Sequence, residues 1–485
     1  MLNYRDFALR NLSRLGPRYL PFADVATDEI PLSRLLRLSL FQVTVGMALV
    51  LLVGTLNRVM IVELNVPASL VAIMISLPLV FAPFRALIGY KSDTHKSAFG
   101  WRRVPFIWKG TLLQFGGFAV MPFALLVLSG YGESYDAPLW VGHGSAALAF
   151  LLVGAGLHMV QTVGLALATD LVPQEDQPKV VGLMYVMLLV GMIISALIFG
   201  WLLSDYTPGR LIQVIQGAAL VTIVLNLVAL WKQEGRDRER ANSTEPSPRF
   251  WDEWKKLISG VGATRLLIVI ALGTMGFGMA DVLLEPYGGH VLHLTVAETT
   301  RLTAVLAAGG LVGFALASRV LGRGMDPVQV ALYGALAGVP AFGAIVIAAP
   351  GQAPWLFVLG ILVVGFGAGL FGHGTLTATM RRAPKAQVGL ALGAWGAVQA
   401  TAAGVAIAIG GGIRDIVIAL PGGTNAEAPY VAVFGMEMAL LILAVVAVVP
   451  LRRAMARTKD AADRLRDTDT DARQHDNTRH QALQG

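Results

Sequence analysis

Twelve apolar segments, each long enough to cross a lipid bilayer, constrain this 485-residue chain more than any other feature of its sequence. A membrane-spanning helix needs about 20 predominantly apolar residues. Segments of this kind are expected at 38–57, 67–89, 104–129, 142–168, 178–203, 209–231, 264–286, 299–321, 327–349, 354–377, 388–411 and 430–450. An even number of spans places both termini on one side of the membrane. The sequence therefore predicts an all-α membrane protein.

The basic residues predict which side that is. If both termini are cytoplasmic, 34 of the 38 Lys and Arg residues fall on cytoplasmic segments. Only Arg58, Arg210, Arg301 and Arg414 fall on the other face. Such an asymmetry is the positive-inside pattern. It accounts for the net charge of +7 through topology and contacts with anionic lipid, so no nucleic-acid partner is needed to explain it.

Hydrophilic stretches divide the chain into five parts. Residues 1–37 are expected to form a cytoplasmic amphipathic N-terminal segment, with a solvated charged leader as the alternative, and residues 38–231 the first six-helix half. Residues 232–263 are a charged cytoplasmic linker that precedes the second six-helix half, residues 264–451. Residues 452–485 form a polar cytoplasmic tail with few large apolar side chains, a composition typical of disorder.

The two halves resemble each other in sequence. Residues 46–93 align with residues 278–326, and both stretches end in Gly-x-x-x-Asp. A second, weaker match sets Gly-Ala-Gly at 154–156 against Gly-Phe-Gly at 365–367. Two six-helix halves repeated in parallel are the plan of the major facilitator superfamily. The sequence thus predicts a major-facilitator-like bundle of twelve helices.

The loop after the second span, GYKSDTHKSAFGWRR, supports the same prediction. It resembles the loop signature of that superfamily through Gly89, Asp93 and the pair Arg102 and Arg103. The glycine permits close helix packing, the aspartate can accept backbone N–H groups at a helix end, and the arginines hold the loop in the cytoplasm. The usual Asp-Arg dipeptide is replaced by Asp93-Thr94, and the alternative is that these residues set topology alone.

Three carboxylates fall within expected spans, where ionisable groups are costly and often functional. Asp281 and Glu285 lie four residues apart and therefore on one helix face. They are candidates for proton coupling or for accepting hydrogen bonds from a substrate. The alternative is that they flank a helix broken at Pro286, where water enters. Glu437 is a lone acid among apolar residues, which favours packing against a polar neighbour.

Two histidines within expected spans are candidate axial ligands for the magnesium of a bound macrocycle, with no metal ion held directly by the protein. His158 lies near the middle of span 4, with Gln161 one turn further on. His373 lies among glycines of span 10, where Gly365 and Gly369 could leave room for a flat ligand. The alternatives are hydrogen-bonded core histidines and a seam for helix packing.

Two arginines lie near the expected ends of spans. Arg58 follows the first span and Arg85 lies at the inner end of the second. Both are expected to extend to the membrane interface, although Arg85 could instead pair with a facing acid.

Several chemistries are excluded by missing residues and motifs. The chain has no cysteine, which excludes disulfides and thiolate chemistry. It contains no phosphate-binding Gly-x-x-x-x-Gly-Lys-Ser/Thr motif, no Gly-x-Ser-x-Gly and no His-Glu-x-x-His. We therefore expect neither a nucleotide cofactor nor enzymatic catalysis.

Longer strings carry a more specific resemblance. The stretches 31–72, 81–128 and 276–289, the last reading GFGMADVLLEPYGG, resemble the PucC/LhaA group. These proteins form the bacteriochlorophyll delivery family of the major facilitator superfamily. The resemblance implies a factor that delivers bacteriochlorophyll, with carotenoid as a further cargo, to antenna polypeptides in the intracytoplasmic photosynthetic membrane of a bacterium. Pigment-synthesis or membrane-insertion machinery and a second copy of the chain are further expected partners.

Two other functions fit the residues. The first is a proton-coupled transporter of a small apolar or amphipathic solute, for which Asp281 and Glu285 are the support. The second is a scaffold that holds antenna polypeptides without touching pigment. The scarcity of charge, 14% of residues, favours an apolar cargo over a sugar or an ion.

Overall fold

The computed structural model describes residues 30–80, 101–130, 136–173, 176–235, 262–351, 353–382, 388–420 and 426–451, with residues 85, 88, 91, 92, 134, 255 and 259 between them. These residues form twelve helices and no strand. The helices are α1 Leu32–Glu63, α2 Ala68–Val80, α3 Val104–Ser129, α4 Leu139–Asp170, α5 Gln177–Leu202, α6 Pro208–Leu230, α7 Ala263–His290, α8 Val296–Gly322, α9 Pro327–Ala348, α10 Pro354–Arg382, α11 Val388–Ala419 and α12 Ala428–Leu451.

Eleven of these helices are long and apolar enough to cross a membrane. The twelfth, α2, has 13 residues within the described part of the chain. The all-helical membrane architecture expected from the sequence is therefore confirmed. Which side of the membrane the termini face stays a prediction.

The first helix is longer than its apolar run. It spans residues 32–63, against an expected 38–57, and Ser39 interrupts it between Leu32–Leu38 and Leu40–Leu49. Its second part is π-helical at Val50–Leu56 and again at Val59–Glu63. Stretches of π-helix are uncommon and frequently mark functional sites.

The seventh helix is broken at Met279, not at Pro286. Its two parts are Ala263–Gly278 and Ala280–His290, and the second continues through Pro286 to its end. The N–H group of Ala280 donates to the Glu437 carboxylate on α12 at 2.5 Å. The expectation that the two acids of α7 flank a helix broken at the proline was therefore wrong, and fully buried Glu437 has a structural partner at the true break.

The two halves repeat the same helix pairs. In the first half α3 packs on α4, α1 on α5 and α2 on α4. In the second half α9 packs on α10, α7 on α11 and α8 on α10. The halves meet where α2 packs on α11 and where α5 packs on α8. In the repeat α2 corresponds to α8 and α5 to α11, so each of these two contacts is the counterpart of the other. The pattern is that of the internal repeat predicted from the sequence.

Glycines show the repeat at the level of single residues. A Cβ atom at Gly156 of α4 would lie 2.5 Å from the carbonyl oxygen of Gly110 on α3. A Cβ atom at Gly367 of α10 would lie 2.7 Å from the carbonyl oxygen of Gly334 on α9. Gly156 and Gly367 belong to the weaker sequence match, so that match reflects a helix contact that both halves share.

Some predicted features lie outside the described residues. These are Gly89 and Asp93 of the loop signature, residues 1–29, most of the linker and the tail after residue 451. The repeat counterpart of Asp93 is described, however. Asp326 is the N-cap of α9, and its side chain accepts a hydrogen bond from the Val328 N–H at 3.1 Å.

Candidate functional site

The two halves are joined by hydrogen bonds at one end of the bundle. We call the end where α1 and α7 finish the distal end, and the opposite end the proximal end. Five hydrogen bonds observed between the halves lie at the distal end. They join Thr55 to Thr300, Asn57 to the Val282 carbonyl, Arg58 to the Leu294 carbonyl, Asp415 to the Ser69 N–H, and Arg301 to the Gly200 carbonyl.

Arg58 is at the centre of this distal contact. It is 3% exposed, forms an ion pair with Glu63, and donates to the Leu294 carbonyl at 3.0 Å. The expectation that it extends to the membrane interface was wrong, because an acid five residues along the same helix pairs with its charge. Burial, with the nearby Glu63 carboxylate as a smaller cause, raises the pKa of Tyr206 to about 12 in the α5–α6 loop.

A cavity lies between the halves, beside this closed end. Its volume is about 120 Å³, and it is lined by residues of α1, α5, α7, α8 and α10. Most of the lining is apolar, from Leu49 and Val53 to Met192 and Ile361. Ligand pockets for drug-sized molecules are about 300–1,000 Å³, so in this conformation the cavity suits only a small guest.

Glu285 and Asp281 supply the charged groups of this cavity. Glu285 is 4% exposed, and one of its carboxylate oxygens accepts a hydrogen bond from the Thr303 hydroxyl. The other oxygen is buried and has no hydrogen-bond partner among the described residues. Asp281 is accessible from the cavity. Gly54 of the π-helical stretch makes room for Glu285, since a Cβ there would overlap the carboxylate.

A second polar cluster lies within the first half. Arg85 donates to the Gln161 side-chain oxygen at 3.0 Å and to the Thr162 hydroxyl at 2.9 Å. It therefore holds the α4 face that carries the candidate His158, whose buried Nδ1 has no hydrogen-bond partner among the described residues. Gln161, a candidate pigment contact, is engaged by Arg85 instead. Neither an acid nor the membrane interface is the partner observed for Arg85.

The other candidate pigment residues lie in the packed interior of the second half. His373 is 9% exposed, and its ring centroid lies 4.1 Å from that of Phe314 on α8. A Cβ atom at Gly365 would overlap the Leu306 carbonyl, and one at Gly369 the Gly310 carbonyl. These two glycines therefore seat α10 against α8 and leave no room for a flat ligand between the two helices.

The described part of the loop signature forms an ion-pair cluster at the proximal end. Arg102 and Arg103 both bind Asp170 at the end of α4, at 2.7 and 3.0 Å. The Glu234 carboxylate accepts the N–H groups of Arg102, Arg103 and Val104, at the start of α3. A negative charge is favourable at a helix N-terminus. These arginines thus fasten α3, α4 and the end of the first half together, beyond any role in topology.

Three features of the site were missed from the sequence. They are the π-helical stretch of α1, the hydroxyl of Thr303 and the space at Gly54. A threonine and a glycine inside apolar helices carry no separate signal in a single sequence. Their roles at Glu285 become visible only when the packing of α1 against α7 and α8 is known.

Solved structures with this arrangement of helices define the class of protein. A mutant of the nucleoside transporter NupG is 14% identical, with a TM-score of 0.65 over 86% of this chain and 99% of that chain. A bacterial homologue of the iron transporter ferroportin in the inward-facing state is 18% identical, with a TM-score of 0.63 over 86% and 97%. The fold is that of major facilitator transporters, in a multi-pass membrane protein.

Residues 55–456 match the family model described as PUCC protein, and the chain belongs to the PucC family. Protein PucC of Rhodobacter capsulatus is 64% identical over 94% of this chain and 100% of its own length. Protein PucC of Cereibacter sphaeroides is 65% identical over 92% and 97%. A more distant relative, the bacteriochlorophyll synthase 44.5 kDa chain of Rhodobacter capsulatus, is 28% identical over 85% and 93%.

Proposed function

We propose that this protein is a light-harvesting complex assembly factor, which binds bacteriochlorophyll and delivers it to antenna polypeptides in the photosynthetic inner membrane. The observation that carries the proposal is membership of the PucC family across residues 55–456. A distant relative is named as a chain of bacteriochlorophyll synthase, which supports a place near pigment chemistry. Carotenoid is a second candidate cargo. The activity is binding and transfer, without catalysis.

The geometry restricts how a pigment would bind. The 120 Å³ cavity is too small for a magnesium macrocycle, and the α8–α10 seam is filled. His158 remains the candidate axial ligand, because a buried imidazole nitrogen without a hydrogen-bond partner can bind a metal. Pigment would then enter between α4 and the helices that face it when the halves separate.

The test is the absorption spectrum of the gently purified full-length protein. We expect the bands of bound bacteriochlorophyll, and we expect deletion of the gene to deplete antenna complexes. His158→Ala should lower the pigment occupancy, whereas His143→Ala, near the start of the same helix, should not. Unchanged antenna levels after deletion would refute the assembly role, and unchanged occupancy in His158→Ala would remove that residue from the site.

A second candidate function is proton-coupled transport of a small solute. The buried Glu285 oxygen without a partner, facing a cavity shared with Asp281, favours it. An isolated buried carboxylate costs several kcal/mol, so a proton or a cation would stabilise this site. Two acids in an apolar cavity would select a small cationic group.

The probe for this second function is tetramethylammonium, a permanent cation that does not cross lipid unaided. Proteoliposomes with an imposed pH gradient should accumulate it, and Glu285→Gln should abolish the accumulation. Glu298→Gln, an acid of the exposed α8 cap, is the matched control. Equal uptake by empty liposomes and proteoliposomes would eliminate transport of such a cation.

A further inference from the structure

We infer that Arg85 and its neighbours form a binding site for the single carboxylate of an amphipathic ligand. Arg85 is half-buried beyond the end of α2, in helical backbone. Its observed hydrogen-bond partners, Gln161 and Thr162, are both neutral. None of the ion pairs among the residues that the structure describes involves Arg85.

A cation in this position needs an anion. A guanidinium group is always charged and offers five N–H donors, of which the two neutral partners use two. Inside a membrane-spanning bundle an uncompensated charge is costly, and such residues pair or mark a substrate pathway. An anionic ligand would supply the missing charge while Gln161 and Thr162 hold the guanidinium plane in place.

The neighbouring side chains define the rest of the ligand. His158 lies one turn before Gln161 and Thr162 on the same face of α4, and Arg85 lies within electrostatic range of both His158 and Tyr185 of α5. The Tyr185 ring meets the Trp395 ring of α11 edge-on, at 6.4 Å between centroids. Aromatic rings beside a charged group suit a molecule with an apolar body and one polar end.

One arginine favours a carboxylate over a phosphate. A carboxylate carries a single negative charge and matches the two-pronged geometry of a guanidinium group. A phosphate monoester would bring up to two negative charges to one cation. Glu285 and Asp281 line the cavity between the halves, and no contact joins either of them to Arg85 among the described residues.

Two sources supply this chemistry in a photosynthetic membrane. One is the free acid of a magnesium tetrapyrrole, the form of the proposed pigment cargo before its propionate is esterified, and for this source the inference rests on the proposed function. The other is a fatty acid, for which it does not. A tetrapyrrole at this site would find the His158 nitrogen for its magnesium and the Arg85 cation for its carboxylate.

The experiment compares each acid with its ester on the full-length protein in detergent. The probes are chlorophyllide and its methyl ester, and oleate and methyl oleate, with affinities taken from the ligand-dependent rise in unfolding temperature. We expect one acid to bind at least about tenfold more tightly than its ester, because the charge-assisted hydrogen bonds are lost in the ester. Arg85→Gln should bring that ratio to about one, and Arg85→Lys should retain part of it. Arg210→Gln, on the exposed distal surface, should leave it unchanged.

Each outcome decides a different point. A preference for chlorophyllide supports the site and its pigment source, and a preference for oleate alone supports the site with a lipid source. Equal binding of both acids and their esters overturns the inference, even if the protein carries bacteriochlorophyll on purification. A preference that survives Arg85→Gln overturns it as well. If Arg85→Gln does not fold, the wild-type ratio and Arg85→Lys decide the question.

Discussion

The helix contacts of the first half recur in the second, whereas the ionisable side chains inside the helices do not. The contact of Gly156 with Gly110 in the first half corresponds to the contact of Gly367 with Gly334 in the second. Within the aligned repeat, however, Asp281 and Glu285 occupy the places of Leu49 and Val53.

The reverse holds for the first half, where Arg85 occupies the place of Ser318. Within the aligned repeat, the first half therefore carries a cation at a position where the second half has none, and the second half carries two acids where the first half is apolar. The two copies of the repeat thus share their helix packing and differ in the charged side chains that they carry inside the helices.

The largest effect is expected from the shared contacts. Gly156→Leu and Gly367→Leu should each destabilise the protein by about 3 kcal/mol, because each new side chain meets a backbone carbonyl that cannot move aside. Thermal unfolding in detergent measures this. Gly116→Leu on α3, where a Cβ meets nothing within 4 Å, is the control. A large loss of stability from one substitution and none from the other would show that the two contacts are not equivalent.

A smaller effect is expected at the break in α7. The aligned position in α1, Met47, lies inside an unbroken helical stretch. Glu437→Ala should cost about 2 kcal/mol, since the buried Ala280 N–H loses its acceptor. Glu437→Gln keeps a side-chain oxygen and should cost less. Unfolding curves in detergent compare the two variants. Equal losses in both would show that the negative charge, rather than the hydrogen bond, is what the break requires.

The smallest effect concerns the aspartates that end the repeat. Asp326→Ala should destabilise the protein by about 1 kcal/mol through loss of the α9 N-cap, and Asp326→Asn by much less. If the repeat extends to the loop signature, Asp93→Ala should match Asp326→Ala. The same unfolding assay tests this, and a neutral Asp93→Ala would confine the capping role to the second half.

The fold was predictable from the sequence because membrane spans are set by local composition. The length of an apolar run and the placement of basic residues need no knowledge of tertiary contacts. The ends of α1 were not predictable in this way, since the Arg58–Glu63 ion pair lets the helix continue past its apolar run. Pro286 was misleading for a similar reason, because a helix inside a bundle can accommodate a proline.

The site was predictable only in part. A charged residue in an apolar span is visible in the sequence, so Asp281, Glu285 and Glu437 could be singled out. Which of them faces a cavity and which caps a helix break depends on partners far along the chain. Glu437 lies 157 residues from Ala280, and Arg85 lies 76 residues from Gln161. No spacing rule links residues so distant.

The contact between Glu437 and Ala280 also has a consequence for biogenesis. Ribosomes add about 5–20 residues per second, so α7 emerges roughly 10 to 30 s before the acid that completes its backbone hydrogen bonding. Lipid offers no acceptor for the Ala280 N–H in the meantime. During insertion α7 therefore has to remain an unbroken helix or stay in contact with water until the last helix arrives. The hydrogen bond that closes the break in the finished protein therefore forms late in its synthesis.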